Sequence, residues 1–199
     1  LPYKGNSLII NQINLFKKLE IKKIYISINY KKDLIKFALK NYDKKNLHFI
    51  EEKKKLGTAG SLSLIPKNEK KDIFLINSDV ILKCDVNNFL NFHITEKNDI
   101  TIMVAESDLK IPYGQCIFNK NLSLIDIIEK PTIKNFYNVG AYILSNRVLK
   151  KIKSGEFLDM NILIKKLIKD STYKIKVFKI DYNDWDDYGD LKKMKELIE

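Results

Sequence analysis

The apolar positions of this chain follow two different spacings along its length. After Asn6-Ser7, a typical helix N-cap pair, apolar residues recur from 8 to 19 at the spacing of one helix face. Residues 73–76 are apolar without alternation, as in a strand that is covered on both faces. Further strands are predicted at 24–28, 47–50, 100–104, 115–118, 124–129, 139–144 and 173–180, and further helices at 34–39, 89–93, 147–152, 161–168 and 191–198. This order predicts one α/β domain whose second half is richer in strands.

Composition narrows the class of protein without naming a function. The chain has 199 residues, of which 45% are hydrophobic and 31% are charged, which is typical of a globular domain with a buried core. No apolar run approaches the length of a membrane span, and the N-terminus does not resemble a signal peptide. We therefore expect a cytoplasmic globular protein, with no membrane partner.

The net charge of +11 invites a nucleic-acid interpretation, but the kind of cation argues against it. Arg147 is the only arginine, and the lysines are scattered in pairs, whereas readers of phosphates and guanine edges rely on arginine. We expect no nucleic-acid partner, although the charge would concentrate small anionic substrates. Cys84 and Cys116 are far apart and lie in no metal-binding motif, so we expect free, buried or half-buried thiols in a reducing compartment.

Two of the seven glycines, Gly57 and Gly60, flank Thr58-Ala59 between a predicted strand and a short predicted helix. A loop of small residues there would allow backbone N–H groups to approach a ligand, beside a helix N-terminus that favours anions. Many strand-to-helix turns carry glycine for geometry alone, so this signal is weak by itself.

Carboxylates stand at two points where a metal site would need them. Asp79 follows the predicted strand 73–76 at the sheet end where α/β proteins bind ligands, and Mg²⁺ prefers one or two carboxylates together with phosphate oxygens. The alternative is a turn or an N-cap. Asp186 and Asp187 stand beside the only tryptophan, either as a second metal ligand or as a cap for the last predicted helix.

Two further short motifs leave the same choice open. Lys130, between Glu129 and Pro131, is either a point charge for a phosphate or one more solvated lysine. Asn138-Val139-Gly140 is either a turn into a strand or an edge that binds hydroxyl groups.

Taken in order, the motifs resemble those of the sugar-1-phosphate nucleotidylyltransferases, the family that makes NDP-sugars. The LGTAG form and the FDM-like stretch around Asp159 resemble the branch of mannose-, glucosamine- and heptose-1-phosphate guanylyltransferases. The matching pieces cover almost the whole chain: Glu52 with Leu56–Gly60, Ile76–Asp79, Pro112–Gly114, Ile128–Pro131, Phe136–Tyr142, Phe157 with Asp159-Met160, and Trp185 with Asp187 and Gly189.

The resemblance implies a Rossmann-like α/β fold, with a mixed, mostly parallel sheet flanked by helices. It implies transfer of a nucleoside monophosphate from an NTP, with GTP favoured, to a sugar-1-phosphate, assisted by Mg²⁺. Asp79 and Asp187 would hold the metal, and Lys130 would act with them as the third catalytic residue. The substrate-binding residues would be Glu52, Leu56, Gly57, Thr58, Ala59, Gly60, Asn77, Ser78, Tyr113, Gly114, Glu129, Asn138 and Gly140.

The chain departs from the family pattern in several places. Ser78 stands where glycine is usual before the aspartate, Lys55 replaces a proline, and Asp186 makes the metal end unusually acidic. The family's first strand and its Gly-rich loop, with an arginine and a lysine for the triphosphate, have no counterpart. We therefore expect residues 1–199 to be a single nucleotidyltransferase domain without its first strand and phosphate loop. Some members of the branch carry a pair of CBS domains upstream.

Two other functions compete with this reading. One is a non-catalytic domain of the same fold that binds sugar nucleotides or regulates another protein. The other is a glycosyltransferase, which the absence of a D-x-D pair after Asp79 disfavours. Homo-oligomerisation is compatible with each of them.

Overall fold

The structure is a computed structural model that describes residues 2–3, 6–30, 32–42, 45–66, 69 and 71–189. Its helices are α1 (Leu8–Lys18), α2 (Lys32–Ala38), α3 (Gly57–Gly60), α4 (Val86–Glu96), α5 (Asn146–Leu149) and α6 (Met160–Ile168), with 3₁₀ turns at Ser61–Leu64 and Tyr182–Asp184. Its strands are β1 (Pro2–Tyr3), β2 (Asn6–Ser7), β3 (Ile24–Ile28), β4 (Leu47–Glu51), β5 (Ile73–Ile76), β6 (Val80–Leu82), β7 (Ile100–Lys110), β8 (Gln115–Phe118), β9 (Leu124–Ile128), β10 (Thr132–Leu144), β11 (Ile175–Asp181) and β12 (Trp185–Asp187). The helix predicted at 191–198 lies outside the described residues.

A four-stranded sheet in the order β11-β7-β10-β5 forms the centre of the molecule. Strand β7 is parallel to β11, whereas β10 is antiparallel to both of its neighbours, β7 and β5. A separate parallel pair, β3 and β4, lies at the N-terminal side. The α/β class with mixed sheets flanked by helices is confirmed. Strands β5, β7 and β11 of the central sheet run in one direction, and β10 runs against them because it returns along β7 after the β8–β9 hairpin.

The two faces of the central sheet are both covered, and the alternation of side chains along its strands divides the core accordingly. Ile100 and Leu144 pack with α6, whose buried residues Met160, Leu163, Ile164 and Leu167 form one helical stripe. On the opposite face, Met103 and Ile143 pack with Phe89 of α4. A third cluster joins α1 to β3 and β4 through Ile13, Ile24 and Leu47.

An open slot, here called the β3–β5 slot, separates the β3–β4 pair from the central sheet. Strand β3 pairs with β4 alone and β5 with β10 alone, so their facing edges lack ladder partners among the described residues. The slot encloses about 1390 Å³ and is lined by apolar side chains of α1, β3 and β5, including Phe16 and Ile26. It also explains why Ile73–Ile76 is half-buried rather than covered on both faces as its sequence predicted.

No described helix has the length and apolar character that a membrane span requires. The cysteines are free, as predicted, and Cys84 is half-buried. Cys116 is exposed on β8, which corrects the expectation that both thiols would be at least half-buried, because the β8–β9 hairpin has no covering layer among the described residues.

Candidate active site

Two carboxylates meet beside the turn that follows β5. Asp79 is the third residue of the turn Asn77–Val80, here called the Asp79 turn, and the antiparallel pairing of β6 with β12 places Asp187 opposite Val80. The backbone N–H of Tyr188 donates to the carbonyl oxygen of Asp79 at 2.8 Å. A Cβ atom built on Gly189 would lie 2.7 Å from Oδ2 of Asp79 and 3.1 Å from Oδ1 of Asp187. Both side chains therefore face the same small space, which a side chain at position 189 would fill.

The electrostatics of this pair suit a divalent cation. Burial raises the pKa of the Asp79 carboxyl group, and the negative charge of Asp187 raises it further, against a backbone hydrogen bond that lowers it. Among the described residues, no group of three or more His, Cys, Asp or Glu side chains could hold a metal. A pair of carboxylates is nevertheless the donor set that Mg²⁺ takes when phosphate oxygens and waters complete its shell. The residues present thus fit Mg²⁺ as a metal shared with a bound phosphate.

Asp186 does not join this pair. Successive side chains of a strand point to opposite faces, and Asp186 forms an ion pair with Lys83 at 2.8 Å. Lys83 therefore neutralises the charge of Asp186. Asp186 does not add to the negative charge of Asp79 and Asp187, contrary to what the sequence had suggested.

A second group of predicted residues surrounds Gly140. Its carbonyl oxygen accepts from the N–H of Asn77 at 2.9 Å, and its own N–H donates to Oδ1 of Asn138 at 3.1 Å. The Asn138 amide also donates to the hydroxyl of Tyr142 at 2.7 Å, across the irregularity where β10 shifts register against β7. Gly140 has φ +82°, and a Cβ there would lie 2.6 Å from Nδ2 of Asn77, so only glycine fits. The structure thus joins the Asp79 turn to the segment Asn138–Gly140.

Ser78 is accommodated in the Asp79 turn without strain. It is not among the described non-glycine residues with a positive φ, so a serine there carries no backbone penalty where the family usually has glycine.

Glu52 organises the segment that contains the two glycines. Its Oε2 atom accepts from the N–H of Leu56 at 2.9 Å, and its Oε1 atom accepts from the hydroxyl of Ser27. The Asn29 amide donates to the Glu52 carbonyl oxygen at 2.9 Å. Both carboxylate oxygens are thus engaged within the protein, and Glu52 fixes the entrance to Leu56–Gly60.

Residues 57–60 form the short helix α3 itself and not a loop that precedes a helix. The N–H groups of Ala59 and Gly60 donate to the carbonyl oxygen of Leu158 at 3.0 and 2.9 Å, and the N–H of Leu158 donates to Leu56 at 2.7 Å. The expectation of free N–H groups ahead of a helix is wrong for Ala59 and Gly60, because both N–H groups are hydrogen-bonded to the segment before α6. Thr58 is half-buried and lines the β3–β5 slot.

The remaining predicted residues lie at the base of the β8–β9 hairpin. A Cβ built on Gly114 would lie 3.1 Å from Oε2 of Glu129, so these two residues are neighbours. Lys130 is exposed and has φ +45°, a rare conformation for a residue with a side chain. Tyr113 is exposed as well. No hydrogen bond or ion pair joins Lys130 to Asp79 or Asp187 in the described part of the chain. The carboxylate pair and the residues at the base of the hairpin are therefore two separate groups.

The structure adds residues that the sequence reasoning did not select. Gln12 contacts the Asp79 turn from α1, Tyr142 holds Asn138, and Ser27 holds Glu52. Their contacts span 4 to 68 positions of sequence, and polar residues of these types have no spacing signal that marks them as partners.

With this geometry established, comparison with known proteins identifies the class. The chain belongs to the nucleotidyl transferase family, whose model matches residues 1–199. The resemblance inferred from the motifs is thereby confirmed.

Relatives of known name lie within the same class. The chain is 33% identical to mannose-1-phosphate guanyltransferase of Pichia angusta over 163 residues, which are 77% of this chain and 45% of that protein. It is 28% identical to the mannose-1-phosphate guanylyltransferase catalytic subunit beta of Dictyostelium discoideum over 161 residues, with the same coverage. The chain thus spans about half the length of the relatives it matches.

Solved structures confirm the fold. The crystal structure of HddC from Yersinia pseudotuberculosis superposes with a TM-score of 0.73 at 21% identity, covering 99% of this chain and 86% of that one. A second HddC structure, in complex with GMP-PN, gives a TM-score of 0.71 at the same identity and coverage. At this level of identity the agreement concerns the fold alone.

Proposed function

We propose that this protein transfers a nucleoside monophosphate from an NTP to a sugar-1-phosphate, giving an NDP-sugar and pyrophosphate. GTP is the favoured donor, because the named relatives are guanyltransferases and one similar structure holds GMP-PN. We also propose a cytoplasmic location, which the free thiols support.

One observation carries the proposal. Asp79 and Asp187 converge on the space beside Gly189, at the carboxyl end of β5, in a chain of the nucleotidyl transferase family. A structural turn or cap would not need two carboxylates to face each other, because like charges at close range oppose folding. A bound Mg²⁺ would offset the repulsion between the two carboxylates and so account for their arrangement.

In the proposed reaction, an oxygen of the sugar-1-phosphate attacks the α-phosphorus of the NTP in line with the leaving group. A new P–O bond forms, and the bond between the α-phosphorus and the bridging oxygen breaks, so pyrophosphate leaves with that electron pair. Bound Mg²⁺ would neutralise charge on the phosphates. The protein contributes position and electrostatic stabilisation, because such transfers need little covalent chemistry.

Each group of residues then takes one task. Asp79 and Asp187 would hold the metal, and Lys130 would neutralise the sugar phosphate. Glu129, with the backbone of Gly114 and the ring of Tyr113, would bind sugar hydroxyls from the hairpin side. Asn77, Ser78, Asn138 and Gly140 would form the opposite wall. Glu52 would hold Leu56–Gly60 in place against the nucleobase.

We further propose that an additional strand fills the β3–β5 slot. The slot has two unpaired strand edges and an apolar lining, which is the environment that a central strand requires. The resemblance implies that this strand leads into the loop that binds the triphosphate. Arg147 does not take that task, because it binds Asp99 and Thr172 and stacks on Tyr173.

The test is release of pyrophosphate in the presence of Mg²⁺, with each of the four NTPs crossed with hexose- and heptose-1-phosphates. The full-length gene product should be compared with its Asp79→Asn and Asp186→Asn variants. Asp186 is a matched control, since it lies next to Asp187 on β12 but pairs with Lys83.

We expect turnover with one pair of substrates, a loss of about 100-fold or more in Asp79→Asn, and near-normal turnover in Asp186→Asn. Absence of turnover with every pair, while an NDP-sugar still raises the melting temperature, would indicate a binding or regulatory domain instead. Equal loss in both variants would reject the assigned metal pair.

A further inference from the structure

One side chain of α1 holds the turn that carries Asp79. The amide nitrogen Nε2 of Gln12 donates to the carbonyl oxygen of Asn77 at 2.7 Å and to that of Val80 at 3.0 Å. A carboxamide nitrogen has two hydrogens, so this one group is fully used by the two carbonyls. Gln12 therefore bridges the first and the last residue of the turn.

The turn is short and leaves Asp79 little freedom. The N–H of Val80 donates to the carbonyl oxygen of Asn77 at 3.3 Å, which closes a four-residue turn with Asp79 in its third position. Tyr188 anchors the carbonyl oxygen of Asp79, and Gly140 anchors the N–H of Asn77. Gln12 is the one side chain among the described residues that holds both ends of the turn, and the other anchors are backbone groups.

The helix that supplies Gln12 is itself fixed on two sides. Ile13 of α1 is buried in the cluster with β3 and β4, while Leu15 and Leu19 pack against the cluster that contains Val80. The Gln12 amide is therefore presented from a helix that is packed on two sides, and its contacts reach 65 and 68 positions along the chain. A side chain that served helix stability alone would have no need to contact the turn between β5 and β6.

We propose that Gln12 is a positioning residue that sets the orientation of the Asp79 carboxylate and thereby the affinity of the site for its divalent cation. This inference rests on the proposed function, because it assigns Asp79 to the metal. Loss of the amide would remove the Gln12 donor from the carbonyl oxygen of Val80 and leave that of Asn77 with the N–H of Val80 alone, which would loosen the turn between them. Outer contacts of this kind control how tightly a ligand residue holds its metal.

The experiment measures metal binding directly, with Mn²⁺ as the probe and electron paramagnetic resonance as the readout of free metal. The full-length protein is compared with Gln12→Met, which keeps the length of the side chain but removes the donor. Asn14→Leu is the structural control, because Asn14 lies on the same helix and accepts a hydrogen bond from Tyr42 without contact to the Asp79 turn. Asp79→Asn defines the signal of a lost site, and kcat and KM are measured on the same samples.

We expect Gln12→Met to weaken Mn²⁺ binding by about tenfold, with a matching rise in the Mg²⁺ concentration for half-maximal rate and a KM for the sugar phosphate within about twofold of normal. Asn14→Leu should lower the melting temperature but leave Mn²⁺ binding unchanged. Normal Mn²⁺ binding in Gln12→Met, in a protein whose Asp79→Asn variant has lost it, would overturn this inference alone. Equal binding by the parent protein and Asp79→Asn would overturn the proposed metal site, and this inference with it.

Discussion

At the scale of single residues, Gly57 and Gly155 share a backbone conformation but not an environment. Their φ angles are +75° and +74°. A Cβ on Gly57 would lie 2.6 Å from a carboxylate oxygen of Asp159 and 2.8 Å from the carbonyl oxygen of Leu158, whereas a Cβ on Gly155 would meet nothing within 4 Å. Substitution of each glycine by alanine therefore distinguishes the destabilisation caused by a left-handed backbone from the destabilisation caused by a steric clash.

We expect Gly155→Ala to lower the free energy of unfolding by roughly 1–2 kcal/mol, from backbone strain alone. Gly57→Ala should lower it by roughly 2–5 kcal/mol, because a steric clash with the 158–159 segment is added to the same strain. Urea denaturation of both variants measures the difference. Equal losses would mean that the 158–159 segment yields without cost.

The buried position of His93 predicts a dependence of stability on pH. His93 is 2% exposed, its Nδ1 atom lies 2.7 Å from Oγ1 of Thr101, and Asp72 lies 3.4 Å from Nε2. Burial lowers its pKa below the ordinary value of 6.5, although the charges of Asp72 and Asp99 oppose this shift. At a pH between the lowered value and 6.5, the unfolded chain binds a proton that the folded protein does not.

We therefore expect the free energy of unfolding to fall as the pH is lowered from 6.5 towards the folded pKa of His93, and this contribution to level off below it. Urea denaturation between pH 7.5 and 5 measures the trend. His93→Gln, which cannot gain a proton, should flatten it, and an unchanged pH dependence in that variant would exclude His93 as the source.

At the same scale, the family resemblance implied Asp79 and Asp187 as a pair, where position alone left each of them open, and the structure brings them together. The sequence could not predict that Asp186 turns away, because the face of a short strand depends on the register of its partner. Nor could it reveal Gln12, since one amide donor on a helix carries no pattern.

At the scale of elements, α4 is held to the central sheet by a group of aromatic rings. Phe89 is fully buried, with its ring centroid 5.7 Å from that of Phe74 on β5 and 5.5 Å from that of Phe178 on β11. One side chain thus joins the helix to both edges of the four-stranded sheet.

We expect Phe89→Ala to lower the free energy of unfolding by about 3–5 kcal/mol, since it removes a buried ring and leaves a cavity. Phe118→Ala, on the exposed β8 strand, is the matched control and should change it by less than about 0.5 kcal/mol. Chemical denaturation of both proteins provides the comparison. A large loss in Phe118→Ala would show that the hairpin is covered in solution.

The bounds of the strands show which elements local sequence patterns predict and which they do not. The spacing predicted the short strands 24–28 and 115–118 with the bounds that the structure has. Strand β10 was predicted only at 139–144, its buried half, but extends from Thr132, because the exposed half pairs with β7 and lacks a burial pattern. Antiparallel pairing of that kind depends on distant residues and is invisible to local periodicity.

At the scale of the whole molecule, the β3–β5 slot divides the structure into two parts. The buried residues of the β3–β4 pair share a cluster with α1, while the central sheet has clusters on both faces, and Tyr25 and Ile50 pack across the slot against one of them. We expect hydrogen exchange of residues 1–199 to show weaker protection in β3 and β4 than in β7 and β10, because the smaller part opens without the larger one. In the full-length protein, the proposed strand should protect β3 and β5 together. Equal protection of β3 and β5 in both chains would contradict the proposed strand.

The cooperativity of unfolding depends on whether a strand occupies the β3–β5 slot. With the slot empty, heat or denaturant can melt the two parts at different points, and a single unfolding temperature would not describe the protein. With a strand across it, backbone ladders would run from β4 to β11, and the loss of any part would weaken its neighbours. Because α1 borders the slot and also holds the Asp79 turn through Gln12, we expect melting of the smaller part to disturb Asp79 before the central sheet unfolds.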